Sequence, residues 1–542
     1  MKPELGTLTA ATFLGLEDTE RKYAAELIKR LNEKWARNQL RRRYYEGHNV
    51  LKDLGIAIPP HLKSVEAVVG WPAKAVDSLI ERNTLQGFTS ATGSVVMNAM
   101  LEDLWDSNRL AVEIPSGMTS ALVASCAFVF VGRGVPGADE PEVMISIKSA
   151  EDASAIWDTR RRRVLAALSV DDRDPFTGAP KLLHLYLPAM EGRPGRVLQM
   201  TPNSWGAFEA VEVAVFAGRV PVEVLPFQPS LQRPFGRSRI TRAVMYQTDA
   251  AVRTMLRTEV GAEFFNAPQR WAMGADDDAF TDDSGNPVPS WTVMLGRLLT
   301  LSKDEDGDVP SVGQFGQQSM VPNIDQLRSI AQMFASEASL DVGSLGIVQD
   351  NPSSAEAIRA RHEELGIKIE NWRSAVLTPT LKRVIGLGAA MVDGSEALAA
   401  EVNSISAQWG SWSAPSEVSQ AQASQARIQA IPRLAETEVE LKHQGFTPDE
   451  IDSIKAEWRR QDGTAALGQI LDTSAPTDAA TAAGAEADAM AKKANALGQL
   501  IRAGVDPADA AKRLGLEGLA FTGAVPVSLR LPESDAQSVE GR

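Results

Sequence analysis

The chain has 542 residues, 44% hydrophobic and 23% charged, enough to bury a core in several structural units. Its formal charge of −15, from 55 Lys and Arg against 70 Asp and Glu, excludes a protein that grips nucleic acid through a globally basic surface. Cys126 is the single cysteine and the five histidines are scattered, which excludes intrachain disulfides, Cys-based metal clusters and an HExxH helix.

The opening MKPELGTLTAATFLGLEDTERKY lacks the cationic-then-apolar order of a secretion signal, so a soluble, intracellularly made protein is expected. Residues 17–43 predict one amphipathic helix, with Tyr23, Leu27, Leu31, Trp35 and Gln39 four apart. Residues 1–45 hold ten basic and six acidic side chains, opposite in sign to the whole. Arg41, Arg42 and Arg43 read either as cations set against a helix C-terminus or as a phosphate- or partner-binding patch. A second helix is expected around 65–81, starting or kinking at Trp71-Pro72 because proline lacks the backbone donor. Residues 94–110 predict a third, from Val96, Met100, Leu104 and from Leu101, Trp105. Residues 114–132 carry no charge over 19 positions, long enough for a membrane span. Their Pro-Ser-Gly start, internal hydroxyls and short CAFVFV run point instead to a short helix and then a buried strand.

From Cys126 to about Gly218 the runs CAFVFV, EVMISIKS, ASAIWD, RVLAALSV, KLLHLYLP, RVLQM and AVEVAVFAG predict strands of one antiparallel sheet, hence an α+β fold. Residues 237–265 return to one helix of about 40 Å at 1.5 Å per residue, studded by Arg237, Arg239, Arg242, Arg253 and Arg257. An irregular insert rich in Pro, Gly and Asp follows over 266–322, then a helix from about 323 to 340 with Ile324, Leu327, Ala331, Phe334 and Ala338 in phase. Residues 341–352 read as a loop, and Ser353 with Glu356 as a capping box opening a helix that passes Trp372, breaks near Thr378-Pro379 and resumes toward Met391. Beyond Trp412 the chain is Gln/Ala/Glu-rich and helical through Leu441, with a further helix capped by Thr447. After Gly463 an Ala-rich linker precedes a short helical hairpin.

Chemistry-bearing patterns are few. Residues 132–137 spell G-x-G-x-x-G after a strand, but Pro136 and a second strand follow where a dinucleotide site needs a helix, so a hairpin loop is expected. No P-loop and no G-x-S-x-G elbow is present. The acids at 276–278, 282–283 and 304–308 lack EF-hand register and read as solvated loop tips, with loose divalent-cation sites the alternative. Arg160 to Arg163 form either a solvated hairpin or an intersubunit or nucleic-acid contact.

The segments YYEGHNVLKDLG, the Trp71 helix, PFGRSRITRAV, EFFNAPQRW and above all LGIVQDNPSSAEAIRARHEEL (345–365) resemble the portal proteins of tailed double-stranded-DNA bacteriophages, in particular the group common in phages of actinobacteria. The resemblance covers about residues 17–525 and implies a structural protein without cofactor, resident metal or membrane partner. It implies a ring, usually of twelve copies, at one capsid vertex of the virion, assembled in the host cytoplasm, through which double-stranded DNA passes without sequence specificity. Implied partners are the terminase large subunit, a head-to-tail adaptor, and the major capsid and scaffolding proteins. By position, 1–235 would be the wing, 236–266 and 322–340 the stem helices, and 267–321 the clip. Residues 341–412 would be the tunnel loop and a long kinked helix, 413–470 the crown, and 471–542 a linker and helical tail. The stem would present Arg239, Arg242, Arg253, Arg257, Asp325 and Arg328, and the clip would dock partners through Trp291, Arg297, Asp304, Glu305 and Asp306.

The tunnel loop would face DNA with Asp341, Val342, Gly343, Ser344, Leu345, Ile347, Val348, Gln349 and Asp350. It holds no Lys or Arg, and Val342, Leu345, Ile347 and Val348 would offer an apolar ring that lets a polyanion slide, since each neutralised phosphate adds affinity. Another minor capsid or head-to-tail component is the alternative within the virion. A metal-dependent hydrolase using the 276–283 and 304–308 acids is the alternative from another class.

Overall fold

A computed structural model describes residues 13–48, 67–92, 94–135, 137, 139–190, 192–216, 218–266, 270–274, 309, 311–314, 319–347, 355–392, 404–413, 417–446, 450–460, 493, 497 and 511–516. The chain divides into two units, 1–414 and 415–542.

Helix α1 (Asp18–Tyr45) opens where Glu20 accepts the Glu17 backbone N–H at 3.0 Å. Its buried stripe Ala24, Leu27, Ile28, Leu31 lies on a six-stranded sheet, against Leu168, Leu185, Leu198 and Met200. That sheet has the order β1-β9-β8-β7-β6-β5. Its strands are β1 (Phe13–Leu14), β5 (Ala153–Asp158), β6 (Arg163–Arg173), β7 (Pro180–Leu187), β8 (Gly195–Pro202) and β9 (Phe208–Phe216). A second sheet, β10-β3-β4, joins β3 (Cys126–Arg133), β4 (Val143–Ser149) and β10 (Val222–Pro226).

The expected single antiparallel sheet is therefore two sheets, and its outer edge, β1 on β9, is parallel. The division follows from burial on both faces of β3. Cys126, Phe128 and Phe130 pack toward the six-stranded sheet, while Ala127, Val129 and Val131 enter the main core. A strand covered on both faces reads as an unbroken apolar run, which is why 126–131 shows no alternation. β10 lies beyond the expected strand region, yet pairs with β3 from Val222↔Phe130 to Pro226↔Cys126. The 132–137 loop is the β3–β4 hairpin, with Gly134 N–H donating to the Glu142 carbonyl at 3.1 Å. Arg160 to Arg163 turn the β5–β6 hairpin, where Asp158 accepts the backbone N–H groups of Arg160 and Arg161 at 3.0 Å.

Helix α2 (Trp71–Ile80) begins at Trp71-Pro72 as expected, and β2 (Leu85–Ser90) follows. The helix expected over 94–110 is two, α3 (Val95–Ser107) and α4 (Leu110–Ala124), separated at Arg109 in a left-handed conformation. Asn108 causes the break. Its Nδ2 donates to the Val143 carbonyl at 2.9 Å and its Oδ1 accepts Ile145 N–H at 2.7 Å, so its amide stands in for a strand at the edge of β4. The uncharged 114–132 stretch is the end of α4 plus β3, both buried.

Asp171 on β6 meets Lys148 at 3.0 Å, His184 at 2.6 Å and Ser169 at 2.6 Å. Burial alone would raise its carboxyl pKa, but His184, Lys148 and Ser169 outweigh it and hold the group at about 2. The depressed pKa stabilises the fold above the unfolded value near 4, and that contribution disappears as pH falls from about 4 to 2. Asp171→Asn is expected to cost about 2 kcal/mol at pH 7. In urea unfolding across pH, the parent and variant curves should converge on the acid side.

Helix α5 (Arg242–Asn266) and α6 (Val321–Ala338) pack antiparallel, and β11 (Arg270–Met273) pairs β12 (Ser311–Gln314) between them in sequence. Next come α7 (Ala355–Trp372), a π turn Arg373–Leu377, and α8 (Thr378–Val392). The expected break at Pro379 is that π turn one turn earlier: Thr378 N–H reaches the Arg373 carbonyl five residues back, and the wider turn makes room for the proline ring. Residues 363–392 are long and apolar enough to cross a membrane by composition, but Ile369, Trp372, Leu377, Leu381 and Ile385 are buried in the main core. β13 (Ile405–Trp409) closes the unit by pairing antiparallel with β2.

In the second unit, the helix expected through Leu441 is broken by a 3₁₀ turn at Pro432–Leu434 into α9 (Glu417–Ala430) and α10 (Glu438–Gln444). Arg427 reaches the buried Glu440 carboxylate at 3.1 Å and ties α9 to α10. Thr447 and most of 463–542 lie outside the described residues.

Candidate functional site

The helix pair α5/α6 is the element that the sequence points to, and its base is built on arginine. Residues 227–241 are not helical. Arg237 N–H bonds to the Phe227 carbonyl at 2.8 Å, and Gly236 turns the chain at φ +73°, where a Cβ would sit 2.3 Å from the Phe227 carbonyl oxygen. Ser238 donates to the Val123 carbonyl at 2.6 Å, and Arg239 N–H to that of Leu122 at 2.8 Å, anchoring the strap on the C-terminus of α4. Arg239, expected within the first stem helix, is instead buried in the strap before that helix begins. Its guanidinium donates to the Ala75 carbonyl of α2 and, at 2.5 Å, to the Ala338 carbonyl that ends α6. A cation at that C-terminus is favoured by the helix dipole. Burial lowers the Arg239 pKa to about 10, opposed by Glu364, so the side chain stays charged at neutral pH.

Above this clamp Thr241 Oγ1 donates to Glu337 at 3.0 Å, and Val244, Ala331, Phe334, Ala335 and Ala338 form the seam with α2, Phe334 lying 5.4 Å from the Trp71 ring. A smaller cluster of Val69, Ala251, Val252 and Ile330 continues it. Tyr44 at the end of α1 donates to Asp249 at 2.8 Å, which fixes α5 against the sheet-bearing part; burial and that hydrogen bond push the phenol pKa upward.

The opposite side of α5 carries cations. At 100° per residue Arg242, Tyr246, Arg253 and Arg257 fall within a sector of about 60°, and Arg253 stacks on Tyr246 at 5.9 Å. Arg242, Tyr246 and Arg257 are exposed. On α6 the exposed pair Asp325 and Arg328 neutralise each other at 3.8 Å, so no net charge arises there.

After α6, Asp341 accepts the Gly343 N–H at 3.1 Å and opens a 3₁₀ turn, Val342–Leu345, ended by Gly346. The expected apolar ring is not what this turn presents. Leu345 is buried in the main core, and Val342 and Ile347 pack against it, which leaves Gly343, Ser344 and Gly346 outward. Three apolar side chains next to a core gain more by burial than by exposure. Val348, Gln349 and Asp350 lie outside the described residues, as do Trp291, Arg297, Asp304, Glu305 and Asp306 and the acids at 276–278 and 282–283. The turn is tethered to α7 through Ser339, which donates to Glu364 at 2.6 Å and accepts from Lys368, itself 3.1 Å from Glu364. The Ser339 hydrogen bond, then Lys368, lowers the Glu364 pKa.

A second buried arginine was not apparent from sequence. Arg373 in the π turn donates to Asn83 Oδ1 at 2.9 Å and to the Arg82 carbonyl at 2.5 Å, and stacks over Trp409 at 5.1 Å. Neighbouring Trp372 donates to the Pro226 carbonyl at 3.0 Å. Cys126 is buried and its thiol is pushed up to about 12, which makes it unreactive. Among the described residues no cluster of three potential metal ligands occurs.

Residues 24–175 match the profile of the family described as phage portal protein, SPP1 Gp6-like. The portal protein of Mycobacterium phage D29 is 27% identical over 362 residues, 65% of this chain and 71% of that protein. The portal protein of Mycobacterium phage L5 is 29% identical over 331 residues, 60% and 66% respectively. Among solved structures, a chain from the neck of a native GTA particle computed with C12 symmetry is 14% identical, with a TM-score of 0.35 over 70% of this chain and 90% of that one. A chain from the neck of an empty GTA particle computed with C6 symmetry gives 12% and 0.38 over the same shares. The sequence matches are thus to phage portal proteins, a structural and non-enzymatic family that this chain resembles.

Proposed function

We propose that the chain is the subunit of a dodecameric, ring-shaped channel through which double-stranded DNA enters and leaves a phage head. The observation that carries this reading is the antiparallel pair α5/α6, which rises from a buried clamp and holds the β11–β12 ladder in the insert between its helices. In this reading α5 and α6 form the stem and 267–321 the clip that docks the terminase large subunit and later the adaptor. The turn after α6 lies at the constriction, and 1–235 form the wing among capsid and scaffolding proteins. The outward Gly343, Ser344 and Gly346 are small and uncharged, a surface along which a polyanion slides without ion pairing. The Arg242, Arg253 and Arg257 stripe lies outside the intrachain core and serves contacts beyond the single chain.

The test is the native mass of the purified protein together with negative-stain class averages. Twelve copies of 58.3 kDa come to about 700 kDa, and a closed cyclic assembly has a central hole. A ring with that hole is the expected result; a dimer with a filled centre would end the channel reading.

A further inference from the structure

A cavity of about 360 Å³ opens between α1, the start of β3, β5 and residues 232–237. Arg30, Lys34, Arg37, Arg41, Arg233 and Arg237 line it, and among the described residues no Asp or Glu does. The first four recur on α1 at i, i+4, i+7 and i+11, one face of a helix. Two of the six have partners: Arg30 pairs with Glu26 at 2.7 Å, and Arg237 donates to Gln228 at 2.6 Å. The nearby Glu151 is engaged by Arg42 at 2.7 Å and Gln39 at 2.9 Å. Among the described residues, Arg41 Nε and Nη1 are buried without a hydrogen-bond partner, and so is Asn38 Oδ1 one helical turn away. Asn38 Nδ2 already donates to the Ala150 carbonyl at 3.2 Å, which leaves Oδ1 as an acceptor in need of a donor.

A guanidinium with two buried and unmatched donors beside like charges is an unstable arrangement until an anion joins it. Burial, then Arg37 and Arg233, lower the Arg41 pKa to about 10, so it stays a cation at neutral pH. The occupant must accept hydrogen bonds from Arg41, donate one to Asn38, and offer negative charge over a space that a single small ion does not span. A peptide with neighbouring carboxylates meets all three conditions, because its backbone N–H supplies the donor.

We propose that this pocket receives an acidic peptide segment of a second copy of the chain. The assignment to a second copy rests on the ring reading. The chain carries 70 acids against 55 bases, so acidic residues are in excess on the chain itself, and in a closed heterologous ring each copy has the same neighbour on the same side, so one acidic segment can fill every copy's pocket.

The test compares the full-length protein with the Arg37→Gln/Arg41→Gln/Arg233→Gln variant, and with Arg37→Gln/Arg233→Gln, which leaves the half-buried Arg41 in place. Binding of a labelled hexaglutamate peptide is measured at low salt, with inorganic phosphate as competitor, and ring formation is followed by native mass against concentration. The expected result is peptide binding at least roughly tenfold weaker in the triple variant and intermediate in the double, with unfolding midpoints no lower than the parent's. Ring formation should move to higher protein concentration in the same order. Equal peptide binding by parent and variants overturns the site. Phosphate that binds as tightly as the peptide makes it a small-anion site and overturns the peptide occupant. Lost peptide binding with unchanged ring formation overturns the second copy as its source. A parent that never forms rings refutes the ring reading and with it the second copy, while the peptide measurement still decides the pocket.

Discussion

Replacing Arg239 by methionine should lower the stability of the first unit by about 3–5 kcal/mol. The side chain is buried and donates to two backbone carbonyls: Ala75 on α2, which also accepts from the Ser78 hydroxyl at 3.3 Å, and Ala338 at the end of α6, for which no other side-chain donor occurs among the described residues. Methionine fills much of the volume, so the loss reports the unpaired Ala338 carbonyl and a missing charge at the helix C-terminus more than a cavity. Arg239→Lys keeps the charge but has one nitrogen where two are needed, and should recover only part of the loss. Urea unfolding followed by tryptophan fluorescence measures both variants. Amide exchange should locate the effect at the α6 C-terminus and the 342–345 turn. A loss below about 1 kcal/mol for the methionine variant would mean that the clamp is not what seats the helix pair.

Phe334→Ala should cost about 3–5 kcal/mol by a different mechanism. Phe334 is fully buried, faces Trp71 at 5.4 Å, and lies where α2, α5 and α6 meet. Truncation leaves a void that three helices pinned by Arg239 and Tyr44 cannot close. Phe334→Leu, which keeps most of the volume, should cost far less, about 1–1.5 kcal/mol. The same unfolding experiment separates them. Because both α5 and α6 would loosen, the proposed ring predicts that the alanine variant assembles only at higher protein concentration than the parent.

Much of the architecture was legible before any coordinates. The stripe on α1, the start of α2 at Trp71-Pro72, the helix–insert–helix order at 242–338 and the hairpin at 132–137 each follow from a local rule: spacing, a missing donor, or turn chemistry. The misreadings share a cause. Asn108 sits in a run with good helical spacing, and only the edge of β4 thirty-five residues away makes its amide a better strand partner than a helix residue. Leu345 lies in a loop and looked free to face a channel, but a core formed from α6, α7 and α8 stands next to it.

What local order determines here is the set of helices and strands, the acidic character of the whole and the resemblance to portal proteins, because periodicity, composition and turn chemistry are written in neighbouring residues. What folding alone decides is the fate of the arginines. Arg239, Arg373 and Arg41 look like any other cations along the chain, yet the first two become buried clamps and the third lines a pocket without a counter-charge. The acceptors of the two clamps include the backbone carbonyls of Ala75, Ala338 and Arg82, up to 291 residues away, and every residue carries the same carbonyl. A side chain that recognises backbone leaves no mark on its partner's sequence, so its role emerges only when the tertiary fold brings the two together.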